Sequence, residues 1–202
     1  MRTILLFCRS RRMFTATGLL IGLTVAGGLT SGSLVRVGQG TAQSIPSALL
    51  LLPAAAGALV AVSAHSPMPV WDRLGTARIP RARFAQAALL TATAALGAFA
   101  VLPDEVLDAR GDAAAARNVI ALCGIGLLTC AVTGAAAAWL PPLALAGLAL
   151  TLGTETSAAW LWSWLLAPDP DLGAGVVAAL LWSAGAGVFS FAGDRSLRGP
   201  AT

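Results

Sequence analysis

From residue 84 to residue 102 the chain reads FAQAALLTATAALGAFAVL, nineteen positions without a charge, and apolar runs of similar length recur along it. About 20 apolar residues coiled into a helix rise about 30 Å, the thickness of a bilayer's hydrocarbon core. Six such regions can be drawn, at 13–31, 46–65, 84–102, 118–139, 143–166 and 173–192. With 57% hydrophobic and 11% charged residues, the chain sits well below the roughly 25% charge of soluble domains. In lipid, each backbone N–H and C=O must be satisfied within the segment, which selects helices. The expectation is an all-α polytopic membrane protein, one transmembrane domain over 1–202, with lipid as its principal partner.

The interruptions between the runs predict orientation. All thirteen basic residues are arginine, and ten of them fall in three segments: 1–12, 66–83 and the tail after residue 192. Arg36, Arg110 and Arg117 lie in the alternate breaks. Short cytoplasmic loops are enriched in Lys and Arg, so this asymmetry predicts both termini inside, in a multi-pass protein of the plasma membrane. The net charge of +4 is then a topology signal and not a nucleic-acid footprint. The run from Met13 follows Ser10-Arg11-Arg12, which resembles a twin-arginine signal, but more spans follow, so it reads as an anchor.

Several runs carry small residues at four-residue spacing, the pattern that lets helix backbones approach in membranes. Gly18 and Gly22 form a GxxxG in the first run. Gly126, Cys130, Gly134 and Ala138 would line one face of the fourth, and Ala179, Ser183 and Gly187 one face of the sixth. These stripes are read as packing faces, within the chain or in a homodimer or heterodimer. Leu140-Pro141-Pro142 marks a sharp turn before the fifth region. That region is broken by Gly153-Thr154-Glu155-Thr156, and Trp160, Trp162 and Trp164 near its end favour an interface.

Motifs for soluble chemistry are missing. No GxxxxGK[ST] phosphate loop exists in a chain without lysine, so any nucleotide-driven step needs a separate ATPase. HExxH, GxSxG and a Cys/His metal quartet are likewise absent. Asp104, Asp108 and Asp112 in PDEVLDARGDAAAAR have the spacing of a Mg²⁺-holding helix face, yet read better as a solvated acidic loop, and no cofactor, metal or catalytic residue is assigned. Cys123 and Cys130, seven apart, are separated by about 10.5 Å along a helix and cannot pair. Glu155, ionisable within an apolar region, is the residue placed on a transport path. His65, the single histidine, reads as an interfacial cap at the end of the second run.

The break at 66–83, SPMPVWDRLGTARIPRAR, holds four arginines and three prolines. Taken with six spans and no ATPase of its own, it resembles the loop after the second span in permease subunits of bacterial type-two ABC exporters. The stretch 116–146 also resembles small integral membrane proteins of actinobacteria. The resemblance implies a permease-like exporter subunit, not itself an enzyme, driven by a cytoplasmic ATPase subunit. Trp71, Asp72, Arg73, Arg78 and Arg81 would form the docking element. The rival reading is a non-transporting membrane scaffold or a small membrane-embedded enzyme.

Overall fold

The computed structural model describes residues 13–30, 34–37, 44–46, 48–65, 78–101, 112–167 and 171–194. Trp71, Asp72, Arg73, Asp104 and Asp108 lie outside the described residues. Among the described residues the architecture is helical apart from one short ribbon. Helix α1 (Met13–Leu29) leads to strands β1 (Leu34–Arg36) and β2 (Ser44–Pro46), then to α2 (Ala48–Ser63), α3 (Arg78–Val101) and α4 (Asp112–Thr133). Helix α5 (Leu140–Leu152), a 3-10 turn (Ala159–Leu161), the short α6 (Ser163–Leu166) and α7 (Leu172–Ala192) complete it.

Three of these helices are long and apolar enough to cross a membrane: Ile79–Ala100 within α3, Ala113–Thr133 within α4, and α7. Helices α1, α2 and α5 are equally apolar but shorter. At 1.5 Å per residue the thirteen residues of α5 rise only about 20 Å. Large apolar side chains face outward, among them Leu29, Leu172, Leu180 and Phe191, as lipid contact requires.

Helix α4 is the axis of the bundle. It packs against α2, α3, α5 and α7, while α1 packs at the edge on α2 and α3. Small residues let this happen. A Cβ built on Gly124 would stand 2.5 Å from the carbonyl oxygen of Leu181 and the Cα of Trp182, and one on Gly185 would run into the backbone of Gly124. Helices α4 and α7 thus cross backbone to backbone at a Gly124–Gly185 contact. Gly57 lies against Leu122 and Gly126 against Ala61, which brings α2 equally close on the other side of α4.

Gly126 therefore packs within the chain as its spacing predicts, and Cys130 and Ala138 are buried with it, while other named small residues face away from the chain's own core. Gly18, Gly22 and Gly187 meet nothing within 4 Å, and Ser183 is exposed. The buried face of α7 is Ala174, Ala178, Gly185, Ala186, Phe189 and Ser190, a different stripe from the one at 179, 183 and 187. Four-residue spacing finds a small-residue face without saying which side of the helix meets a neighbour. Gly134 is not on α4 at all: at φ 102 it terminates the helix, its N–H donating to the Cys130 carbonyl. The chain turns over 135–139, and Pro141 and Pro142 occupy the first turn of α5 instead of the bend, because proline lacks only a donor that this position does not use.

Helix α3 starts at Arg78, six residues before its uncharged run, so Arg81 and Arg83 are helical; Arg81 is exposed and Arg83 buried. The β1–β2 ribbon, with Leu34 opposite Pro46 and Val35 opposite Ile45, was not read from the sequence. Its signal is there in Leu-Val-Arg-Val before Gly38-Gln39-Gly40.

Candidate functional site

One end of the bundle gathers polar side chains that sequence reasoning left apart. Helix α2 ends at Ser63 and exposes His65 just beyond it; α7 ends at Gly193, whose φ of 66 places it in a backbone region that favours glycine. The N–H of Gly193 donates to the Phe189 carbonyl at 2.8 Å, and the chain turns so that the next residue, Asp194, faces the bundle. Its carboxylate Oδ2 lies 2.6 Å from His65 Nδ1, and Oδ1 accepts from the backbone N–H of Ala135 at 3.2 Å. The Asp194 side chain is 1% exposed and the His65 side chain 48%. Asp194 thus links the ends of α2 and α7 to the turn that follows α4.

Helix α3 enters the same corner with its first turns. A Cβ on Gly193 would stand 2.7 Å from Arg83 Nη1, so the absence of a side chain there is what lets the guanidinium lie flat against the end of α7. One turn on, Gln86 donates its amide N–H to the Ser63 carbonyl at 3.3 Å, satisfying one of the last acceptors of α2. Arg83 and Gln86 are both buried. A buried carboxylate survives in such a place only when cationic or hydrogen-bonding groups meet it, and here His65 and the Ala135 amide do so.

The corner has a consequence for the connection at 66–83. His65 immediately precedes that connection, and Arg83 and Gln86 stand at or just past its end. Both attachment points of the arginine-rich segment thereby meet the end of the last helix, His65 through Asp194 and Arg83 beside Gly193. His65 is accordingly more than the interfacial cap its position implied. The signal was available: a histidine and an aspartate, at the ends of the second and sixth runs, fall on the same side of the expected six-run layout.

The opposite end is held differently. Arg117, which the apolar runs place in a polar break, is helical and buried. Its Nη2 donates to the carbonyls of Trp164 at 3.1 Å and Ala167 at 2.9 Å, while Asn118 Nδ2 donates to Leu165 O at 2.9 Å. These carbonyls are the unpaired acceptors at the end of α6, so a cation and an amide from α4 cap it. Trp162 is buried and donates its indole N–H to the Gly153 carbonyl at 2.7 Å. The break in the fifth region falls where the sequence places it, with Gly153 at φ 59 ending α5. Glu155 stands exposed just beyond. No group of three or more His, Cys, Asp or Glu able to hold a metal occurs among the described residues.

No protein-family model, curated protein or solved structure matches this chain.

Proposed function

We propose that this chain is a six-span protein of the plasma membrane with both ends cytoplasmic, and that it serves as the permease-like subunit of an exporter driven by a separate ATPase. The reading rests on one observation: at one end of the arginine-rich connection His65 bonds Asp194 just past α7, and at the other Arg83 packs against Gly193 at the end of α7 while Gln86 donates to Ser63 at the end of α2. A soluble partner gripping that connection would move the ends of α2, α3 and α7 together, and through the Ala135 amide the turn between α4 and α5. Force applied at a loop would reach the whole bundle. Ten of the thirteen arginines on one side support the orientation. The shorter α1, α2 and α5 would cross with local thinning of the bilayer or help from flanking residues.

Orientation is checked by labelling intact cells with a membrane-impermeant thiol reagent, after replacing the native cysteines. A cysteine at Asp171 should react and one at Gly75 should be spared; reaction at Gly75 reverses the topology. Partnership is checked by detergent pull-down from native membranes. Trp71→Ala keeps every arginine, so insertion and abundance should be unchanged, whereas recovery of the ATPase should fall about tenfold if Trp71 anchors the contact. Equal recovery from parent and variant, or no ATPase with either, removes the docking role.

A further inference from the structure

Helix α3 turns one face away from the bundle, and that face is headed by a charge. Ala87, Leu90, Ala94 and Ala98 are buried on the inner side. At 3.6 residues per turn the opposite side carries Arg81, Ala85, Ala88, Ala92 and Phe99, of which Ala88 is half-buried and the others exposed. Phe84 and Leu89, both exposed, flank the three alanines, so the first turns of the span form a shallow trough with a methyl floor. Its Phe84 wall is held in place: the ring meets Trp182 of α7 edge-on, with centroids 5.6 Å apart, and the Trp182 indole N–H donates to Thr91 Oγ1 at 3.2 Å. Among the described residues Arg81 has no hydrogen-bond or ion-pair partner. The one described carboxylate at this end of the bundle, Asp194, is 1% exposed and turned to His65 and Ala135.

From Arg81 to Ala92 the helix rises about 16.5 Å, close to one leaflet of a hydrocarbon core about 30 Å thick. An exposed cation at the head of an apolar trough one leaflet deep is complementary to an amphiphile with a negative head. We propose that this face of α3 binds an anionic glycerophospholipid, its phosphate on the Arg81 guanidinium and one acyl chain laid over Ala85, Ala88 and Ala92 between Phe84 and Leu89. The planar donor fork of arginine suits phosphate oxygens. A zwitterionic headgroup brings an ammonium along with its phosphate, and no described carboxylate is exposed at this end to receive it. A free phosphate gains nothing from the trough. The site lies in whichever leaflet the His65–Asp194 end faces, so it depends neither on the orientation of the chain nor on an ATPase. It takes Arg81 out of the docking element and gives it a lipid partner.

The test is competition among phosphatidylglycerol, phosphatidylcholine and phosphatidylethanolamine, added in equal amounts to the full-length protein in detergent and read by native mass spectrometry of the lipids retained. The parent should retain phosphatidylglycerol about fivefold over each of the others, the effect of one arginine at an anionic headgroup. Arg81→Gln should abolish that preference and Arg81→Lys should keep most of it. Arg11→Gln removes the same charge from the N-terminal segment and should leave it intact. Ala85→Phe, which fills the trough from an exposed position with Arg81 in place, should lower retention of phosphatidylglycerol several-fold. Soluble glycerol phosphate should not displace the lipid, because it lacks the chain. Equal retention of all three lipids by the parent means unselective annular lipid, and equal losses in Arg81→Gln and Arg11→Gln mean a diffuse effect of net charge. An unchanged preference in Arg81→Gln, or unchanged retention in Ala85→Phe, puts the lipid elsewhere. A dimer that retains no phosphatidylglycerol means that a second copy covers the face, and displacement by glycerol phosphate means a water-soluble ligand. Any of these results overturns the proposal.

Discussion

Gly185→Ala is expected to destabilise the folded chain by about 3 kcal/mol or more, the upper end of the range for overpacking. The new methyl has nowhere to go. It would run into the backbone of Gly124, and Gly124 in turn lies against the backbone of Leu181 and Trp182, so no rotamer change can relieve the clash. The helices must separate over several residues, loosening the contacts of Leu127, Ala186 and Phe189 that share this core. Gly187→Ala, two residues along the same helix, is the control because nothing lies within 4 Å of it. It should be neutral or slightly stabilising, since alanine exceeds glycine in helix propensity by up to about 1 kcal/mol. Reversible unfolding in mixed detergent micelles reads both. Equal stabilities for the two variants would mean that α4 and α7 do not cross at Gly124.

Asp194→Ala is expected to cost roughly 2–4 kcal/mol, combining a stranded amide at Ala135 with a lost charge-assisted contact to His65. The figure stays below that for breaking a fully buried ion pair because half of the His65 side chain already meets solvent. Arg83, buried beside Gly193, would also lose the neighbouring carboxylate's favourable field. Asp194→Asn separates hydrogen bonding from charge. Its amide oxygen can still accept from Ala135, and its NH₂ can donate to a histidine tautomer with Nδ1 unprotonated. The asparagine variant should therefore recover about half of the loss. The same unfolding assay reads stability, and amide hydrogen exchange at Ala135 should rise in the alanine variant and much less in the asparagine one. Unchanged exchange at Ala135 in Asp194→Ala would show that the carboxylate does not hold the α4–α5 turn.

The helices themselves were legible in the sequence because the constraint on them is local. Uncharged runs leave a backbone with no alternative to internal hydrogen bonding in lipid, so α3, α4 and α7 can be placed from composition and length. The break after α5 was equally local, since Gly153 supplies the positive φ that stops a helix. Boundaries were less secure where a charged residue extends a helix beyond its apolar part. Helix α3 begins at Arg78, and Arg83 in its second turn lies against Gly193 at the end of α7, a contact no propensity encodes.

What the amino acids determined by themselves was a set of apolar helices, their breaks, and the charge asymmetry that predicts their direction. The tertiary structure alone decided which small residues bring helices of this chain together: spacing of four marks Gly18, Gly22, Ser183 and Gly187 as readily as Gly126, yet within the chain the α4–α7 backbone contact falls at Gly124 and Gly185. On an apolar helix every face has similar hydropathy, so periodicity carries no information about the buried side. It also decided that His65 and Asp194, 129 residues apart, share a hydrogen bond, and that Arg117 turns inward to the carbonyls of Trp164 and Ala167 in a broken segment. Such partnerships depend on where helix ends meet in space, and the free energy that selects them, the avoidance of unpaired buried polar groups, exists only after the helices have packed.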